Sequence, residues 1–271
     1  MTDRTITSDD QPFELNTGVP QTARIWNYWL GGRDNFPADR QVGDQILEAF
    51  PAIVENARAS RAFLARVVRY LAGEAEVRQF LDVGTGLPTA NNTHEVAQRA
   101  APDARIVYVD NDPLVLTHAR ALLTSSPEGA TAYVDADLRD PDKVLQEAAR
   151  TLDFTQPVAI MLMGILGHIA DDDEARSIVK RLLDRLASGS YLVLCDGTNT
   201  SQAGVQAQDD YDQSGAIPYR LRSPEQIAGL FAGLELVEPG VVSLPRWRPD
   251  PTSGDGPPRE VDAVGGVGRK P

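Results

Sequence analysis

The sequence predicts an α/β fold: one central, mostly parallel, seven-stranded sheet with helices on both faces, preceded by an N-terminal helical cap. Three observations carry this. Past Gly73, short apolar runs alternate with helical stretches, as in chained β–α units. Those runs are almost continuously apolar, so each strand is covered on both sides. Before Gly73, apolar residues recur only at helical spacing. The 271 residues suit one large α/β domain with an appended piece. A hydrophobic share of 42% with 24% charged residues is enough to bury a core and excludes global disorder.

The elements follow in order. Residues 1–18 read as a flexible tail and residues 19–72 as the helical cap. Thr22–Leu30 is expected to be helical and to stop at Gly31-Gly32. A second helix starts at Pro37, whose fixed φ suits a first helical position, and runs to Phe50. A third spans Ile53–Ala72. There Phe63, Leu64, Val67, Val68 and Leu71 share one face, and Arg58, Arg61, Arg66 and Arg69 point mostly elsewhere.

Residues 73–271 form the sheet domain. Strands are expected at Gln79–Val83, Arg105–Val109, Ala130–Val134, Val158–Met163, Tyr191–Cys195, Leu234–Val242 and Val261–Val267. Helices are expected at Thr89–Ala100, Pro113–Thr124, Pro141–Ala149 and Asp172–Leu186. A further helix covers Ser223–Phe231, with Ser223 as its N-cap and Pro224 at the first position. Pro249–Pro258 reads as a hairpin-like loop between the last two strands.

Composition narrows the function. Lys and Arg number 26 against 39 Asp and Glu, a formal net charge of −13. Nucleic-acid binding needs a basic surface that displaces counterions, so nucleic acid is not an expected partner, and an anionic membrane surface is disfavoured likewise. Residues 110–175 carry −9 of the −13, from 13 acids and 4 bases. A single cysteine leaves no disulfide framework, and three histidines without ligand spacing leave no metal site to expect. The N-terminus, MTDRTITSDD, is too polar for a signal peptide, and Val158–Ile169 is too short to span a bilayer. A cytoplasmic protein is expected. Nothing in the sequence fixes its oligomeric state.

The sharpest local signal is Phe80-Leu81-Asp82-Val83-Gly84-Thr85-Gly86, an apolar strand, an acid and two glycines before a helix. Glycines there let a ligand approach the backbone, and a helix N-terminus favours an anionic group. The third glycine of the dinucleotide fingerprint is replaced by Thr89. Asp82 would repel a pyrophosphate but can accept hydrogen bonds from an ammonium group. That favours S-adenosylmethionine, with its amino-acid end, over NAD. The next strand ends in Asp110-Asn111, where an acid can hold ribose hydroxyls. After the third strand, Asp137 can accept from an adenine amino group, and the backbone at Leu138 can donate to a ring nitrogen. Each acid taken alone also suits a turn or a helix cap.

Together, Asp82-x-Gly84-x-Gly86, Asp110 and Asp137 resemble the cofactor motifs of class I S-adenosylmethionine-dependent methyltransferases, whose fold is Rossmann-like. More narrowly, the chain resembles an actinobacterial methyltransferase family long catalogued as a domain of unknown function. That resemblance rests on Ala23–Phe36, with its Leu-Gly-Gly-Arg-Asp-Asn-Phe block, and on Phe80–Thr89, Val107–Pro113, Asp135–Asp140 and Gly265–Lys270. It covers residues 20–271 and implies the fold and S-adenosyl-L-methionine, but no acceptor. The histidine after the fourth strand follows Gly167, one place later than the family pattern implies.

Trp26, Tyr28, Trp29 and Phe36 crowd aromatics into the cap, where helical spacing suits a core. The Gly31–Asn35 loop could instead close over the strand ends, with Arg33 on the cofactor carboxylate and Tyr28 and Asn35 lining the pocket. Candidate proton acceptors are His168, Asp196 and Tyr28; each also has a plain structural reading as a cap, a turn or a packing residue. Three functions stay open: a methyltransferase for a small-molecule acceptor, a non-catalytic S-adenosylmethionine-binding protein, and an NAD-dependent oxidoreductase.

Overall fold

The structure, a computed structural model, describes residues 16–122, 124–250 and 258–271. The expected tail lies outside the described residues up to position 15, and so does most of the expected 249–258 loop.

Five strands pair in parallel: β1 (Gln79–Val83), β2 (Arg105–Asp110), β3 (Ala130–Asp135), β4 (Ala159–Met163) and β5 (Tyr191–Gly197). Their order is β3-β2-β1-β4-β5. On the outer edge of β5 lie β6 (Glu235–Leu236), β7 (Val242–Ser243) and β8 (Ala263–Arg269). β8 runs antiparallel to β5 and carries both β6 and β7 on its other side. Among the described residues the sheet therefore has eight strands, not the expected seven. The stretch expected as one strand, Leu234–Val242, is broken around Pro239-Gly240, where the Gly240 N–H turns back to the Val237 carbonyl at 2.8 Å. Proline has no N–H for the ladder, which weakens strand pairing at that point.

The helices are α1 (Thr22–Trp29), α2 (Pro37–Ala49), α3 (Ile53–Gly73), α4 (Thr93–Ala100), α5 (Pro113–Leu122), α6 (Pro141–Ala148), α7 (Asp172–Asp184), α8 (Gln202–Asp212) and α9 (Pro224–Gly229). Ser223 caps α9 as expected: its Oγ accepts from Gln226 N, and Gln226 reaches back to Ser223 N. α4 begins four residues later than expected. Pro88 and the left-handed Asn91 (φ 59°) keep the chain out of helix, and Asn92 with Glu95 forms the capping box. α8 matches no expected element, because its sequence offers few apolar residues to mark a face.

Side chains alternate across each strand, so two cores form, one on each face. Leu81, Val107, Ile160 and Leu192 pack with α6, α7 and α9, while Phe80, Ile106, Met161 and Val193 pack with α3 and α4. A third core joins Ile25 and Trp29 of α1 and Val42 and Ile46 of α2 to Ala207 and Tyr211 of α8. The cap is fixed by a buried ion pair. Arg24 and Asp39, 1% and 0% exposed, meet at 3.0 Å, and Asp39 also accepts from Phe36 N and Gln21 N, so one carboxylate ties the starts of α1 and α2.

The chain runs outward from β1 to β3, then returns to build β4 and β5 on the other side. Loops leaving β1 and β4 diverge at that reversal, which leaves a crevice at the C-terminal strand ends.

Candidate functional site

A cavity of about 1120 Å³, counted with its open mouth, fills that crevice. Its floor is the turn after β1 (Asp82, Gly84, Thr85, Gly86), the end of β2 (Asp110, Asn111, Asp112) and the turn after β4 (Met163–Ile165). Trp26, Asn27 and Leu30 of the cap close one wall.

The glycine turn is held by its neighbours. Gly84 has φ +73°, and its N–H donates to the Val109 carbonyl at 2.8 Å. A Cβ at Gly84 would sit 2.6 Å from the Ile165 side chain, so both backbone shape and space require glycine. Thr85 Oγ1 donates to the Asp82 carbonyl at 3.1 Å. The Gly86 N–H donates to Asp110 Oδ2 at 3.0 Å, and Asp112 N–H to Asp110 Oδ1 at 2.9 Å. Asp110 thus braces the turn as well as lining the cavity, and burial raises its pKa despite those donors.

Asp82 is 4% exposed and accepts from Thr93 Oγ1 at 2.6 Å. Burial pushes its carboxyl up to about 6, against the opposing pull of Thr93 and of the Arg61 charge. Arg61 of α3 lines the same cavity. Its Nη2 donates to the Asn91 carbonyl at 3.2 Å, but its buried Nε has no hydrogen-bond partner. Burial lowers the Arg61 pKa, and Asp82 is the leading opposing charge. One wall thus carries an acid and a cation with an unused donor. An amino-acid zwitterion presents the complementary pair, an ammonium and a carboxylate.

A second cavity, about 820 Å³ with its mouth, adjoins the first and shares Thr22, Trp26, Ser60 and Gly164 with it. The cap, the end of β5 and α8 enclose it, with Trp29, Phe50, Tyr211 and Tyr219 as aromatic walls. Asp196, at the end of β5 and 2% exposed, lines it. Tyr219 Oη donates to Asp196 Oδ1. Oδ2 is buried without a hydrogen bond, and Arg222 Nη1 stands 3.9 Å away. Burial lifts the Asp196 carboxyl to about 7, with Tyr219 and Arg222 opposing.

Of the residues expected from sequence, Asp82, Gly84, Thr85, Gly86, Asp110 and Asn111 meet in the first cavity. His168 lines it too. Its Nδ1 lies 2.9 Å from the Pro218 carbonyl, which can only accept, so Nδ1 carries the proton and the neutral ring keeps its lone pair on Nε2. Burial lowers its pKa, which favours that neutral form.

Five residues expected at the pocket do not line it. Arg33 is exposed. Asn35 is buried in a knot, where its Nδ2 donates to Asn27 Oδ1 at 3.0 Å, an oxygen that also accepts from Asp34 N. A Cβ at Gly32 would come within 2.5 Å of the Asn27 side chain, so the Gly-Gly-Arg-Asp-Asn loop folds onto Asn27 and turns Arg33 outward. Tyr28 donates to Asp44 Oδ1 at 2.6 Å, away from both cavities. Asp137 is taken up by Arg139 N at 2.8 Å and meets the cavity only through Asn111, whose Nδ2 lies 3.3 Å from it. Leu138 is 6% exposed and belongs to the core.

The sequence does not single out Arg61, which sits among arginines whose spacing reads as the solvent side of α3. In fact Arg66 also turns inward, donating to the Trp247 and Leu244 carbonyls at 2.9 and 2.7 Å.

The chain matches the family model described as S-adenosyl methyltransferase over residues 8–271. It is 46% identical to a DUF574 family protein from Streptomyces avermitilis MA-4680. That match covers 94% of this chain and 99% of the other, with a TM-score of 0.89. It is 42% identical to a Thermobifida fusca YX protein described as a candidate methyltransferase, over 97% of this chain and 99% of the other, with a TM-score of 0.87. A family 2 O-methyltransferase from Planctomyces limnophilus DSM 3776 is 17% identical over 86% of this chain and 66% of the other; its TM-score of 0.50 shows a shared fold alone. No curated protein matches.

Proposed function

The chain belongs to the S-adenosyl methyltransferase family, and from that premise we propose that it methylates a small-molecule acceptor held in the second cavity. One observation carries this reading: two cavities adjoin at the strand ends and share Thr22, Trp26, Ser60 and Gly164. A cofactor in the first then has its methyl-bearing end within reach of a molecule in the second. Family membership displaces the NAD-dependent alternative.

The residues of the first cavity fit S-adenosylmethionine. Asp82 would accept from its ammonium group and the Arg61 guanidinium, which lines the same cavity, would attract its carboxylate. Asp110 and Asn111 would meet the ribose hydroxyls, with Asp137 steadying Asn111 from behind. The cofactor supplies a methyl group on a positively charged sulfur, which is already a strong electrophile. The protein's part is then to hold an acceptor atom in line with that methyl and to remove its proton. Asp196 is the proton acceptor that lies in the acceptor cavity; His168 stands in the cofactor cavity, where its lone pair can take a hydrogen bond. The aromatic walls exclude water and position the acceptor.

The test is methyl transfer from labelled S-adenosylmethionine across a library of small metabolites, alongside calorimetric binding of S-adenosylhomocysteine. A methylated product whose formation Asp196→Asn abolishes supports the proposal. Tight cofactor binding with no transfer to any member would point instead to a binding protein without turnover.

A further inference from the structure

The second cavity has a chemical bias that goes beyond the reading above and rests on it. Its charged lining residues, among those described, are two carboxylates, Asp196 and Asp262, with no Lys, Arg or His. Arg222, the cation nearest Asp196, is already committed. Its Nε donates to Asp172 Oδ1 at 2.9 Å, its Nη1 to the Leu166 carbonyl at 2.9 Å and its Nη2 to the Ile169 carbonyl at 2.6 Å. It therefore serves as a strut behind the site and offers Asp196 no hydrogen bond.

A buried carboxylate is costly unless it is compensated, and a ligand cation beside it in the cavity offsets that cost through charge. An anionic ligand would meet two acids and find no cation. A cation would meet the acids and the rings of Trp26, Trp29, Phe50 and Tyr211, whose faces attract positive charge through their quadrupoles. We propose that the second cavity binds an acceptor with an apolar or aromatic body and a primary or secondary amine, and that the amine nitrogen, paired with Asp196, receives the methyl group.

The step balances. The ammonium gives one proton to the Asp196 carboxylate and so frees its nitrogen lone pair. That pair forms the N–C bond to the methyl carbon as the C–S bond breaks. The bonding electrons stay on sulfur, giving S-adenosylhomocysteine and an N-methylammonium product. No further reactant is required.

The test uses the full chain saturated with S-adenosylhomocysteine. It compares binding of phenethylamine, 3-phenylpropionate and 2-phenylethanol by calorimetry or ligand-observed NMR. The proposal expects the amine to bind at least about tenfold tighter than the alcohol, and the acid not at all. Asp196→Asn should erase that preference without changing S-adenosylhomocysteine affinity. Gly204→Leu is a second variant, at a buried position of α8 that lines the cavity and where an added Cβ meets only ordinary contacts at 3.6 Å. Its longer side chain enters the cavity and should exclude all three probes. Equal binding of acid or alcohol overturns the amine assignment. So does amine binding that survives Gly204→Leu, or no probe binding while S-adenosylhomocysteine binds. Failure of S-adenosylhomocysteine itself to bind overturns the methyl-transfer reading instead, so the two failures are distinguishable. If Asp196→Asn does not fold, the probe comparison and Gly204→Leu still decide.

Discussion

Thr93, the first residue of α4, donates a 2.6 Å hydrogen bond to Asp82, the acid inside β1. The late start of α4 makes this contact possible: a helix beginning at Thr89 would carry Thr93 onto its second turn. Burial pushes the Asp82 carboxyl up to about 6, and Thr93 and, from α3, Arg61 favour its charged form while Asp110 opposes it.

Asp82 should make both stability and cofactor binding depend on pH, with opposite signs. Its folded pKa of about 6 lies above the ordinary value of about 3.9, so between those values the folded chain binds the proton better. Stability without cofactor should therefore fall as pH rises from about 4 to about 6. Pairing with an ammonium needs the ionised form, so S-adenosylhomocysteine affinity should drop up to about tenfold per pH unit below about 6. Asp82→Asn should bind more weakly and lose that dependence. Calorimetry and denaturant titration across pH check both; a flat wild-type affinity profile would refute the ammonium contact.

Arg61 and Arg33 should separate cleanly. Arg61→Met removes the guanidinium from the cofactor cavity, and loss of a hydrogen bond to a charged group costs about 1.5–3 kcal/mol, or roughly 10- to 150-fold in cofactor affinity. Arg33→Ala changes an exposed side chain and should leave affinity unchanged. The reverse result would restore the loop arginine to the site.

Gly84→Ala should damage binding more than folding. The substitution forces Ile165, a cavity-lining residue, to move, and it places a side chain at φ +73°. A cost of about 1–3 kcal/mol in stability is expected, with a larger proportional loss of S-adenosylhomocysteine affinity than Gly73→Ala, which meets nothing within 4 Å. Thermal unfolding and calorimetry on both variants measure this.

Asp39→Ala should release the cap. It strands the buried Arg24 charge and removes the acceptor for two backbone N–H groups, an expected cost of about 3–5 kcal/mol. Hydrogen exchange should show protection lost first in α1 and α2, because the sheet cores do not depend on this pair.

The strands were legible because a doubly covered parallel strand must be apolar along its whole length, as Gln79–Val83 and Ala159–Met163 are. The glycine turn and Asp110 were legible because ligands bind where such strands end. Pro239-Gly240 marks the break between β6 and β7 in the sequence, but only pairing shows which residues of Leu234–Val242 keep a partner.

By itself the sequence determined the α/β architecture, the crevice at the strand ends and the acids that line its floor, because these follow from local periodicity and from turn chemistry. Tertiary structure decided which residues before β1 reach that crevice. Arg61 faces inward and Arg33 outward, although both precede β1, because the Asn27 knot turns the Arg33 loop away while α3, packed on the sheet, carries Arg61 toward Asp82. It also decided that α8, a helix with little apolar patterning, closes a second cavity around Asp196. Its burial comes from the cap it packs against, and that long-range contact leaves no period in the chain.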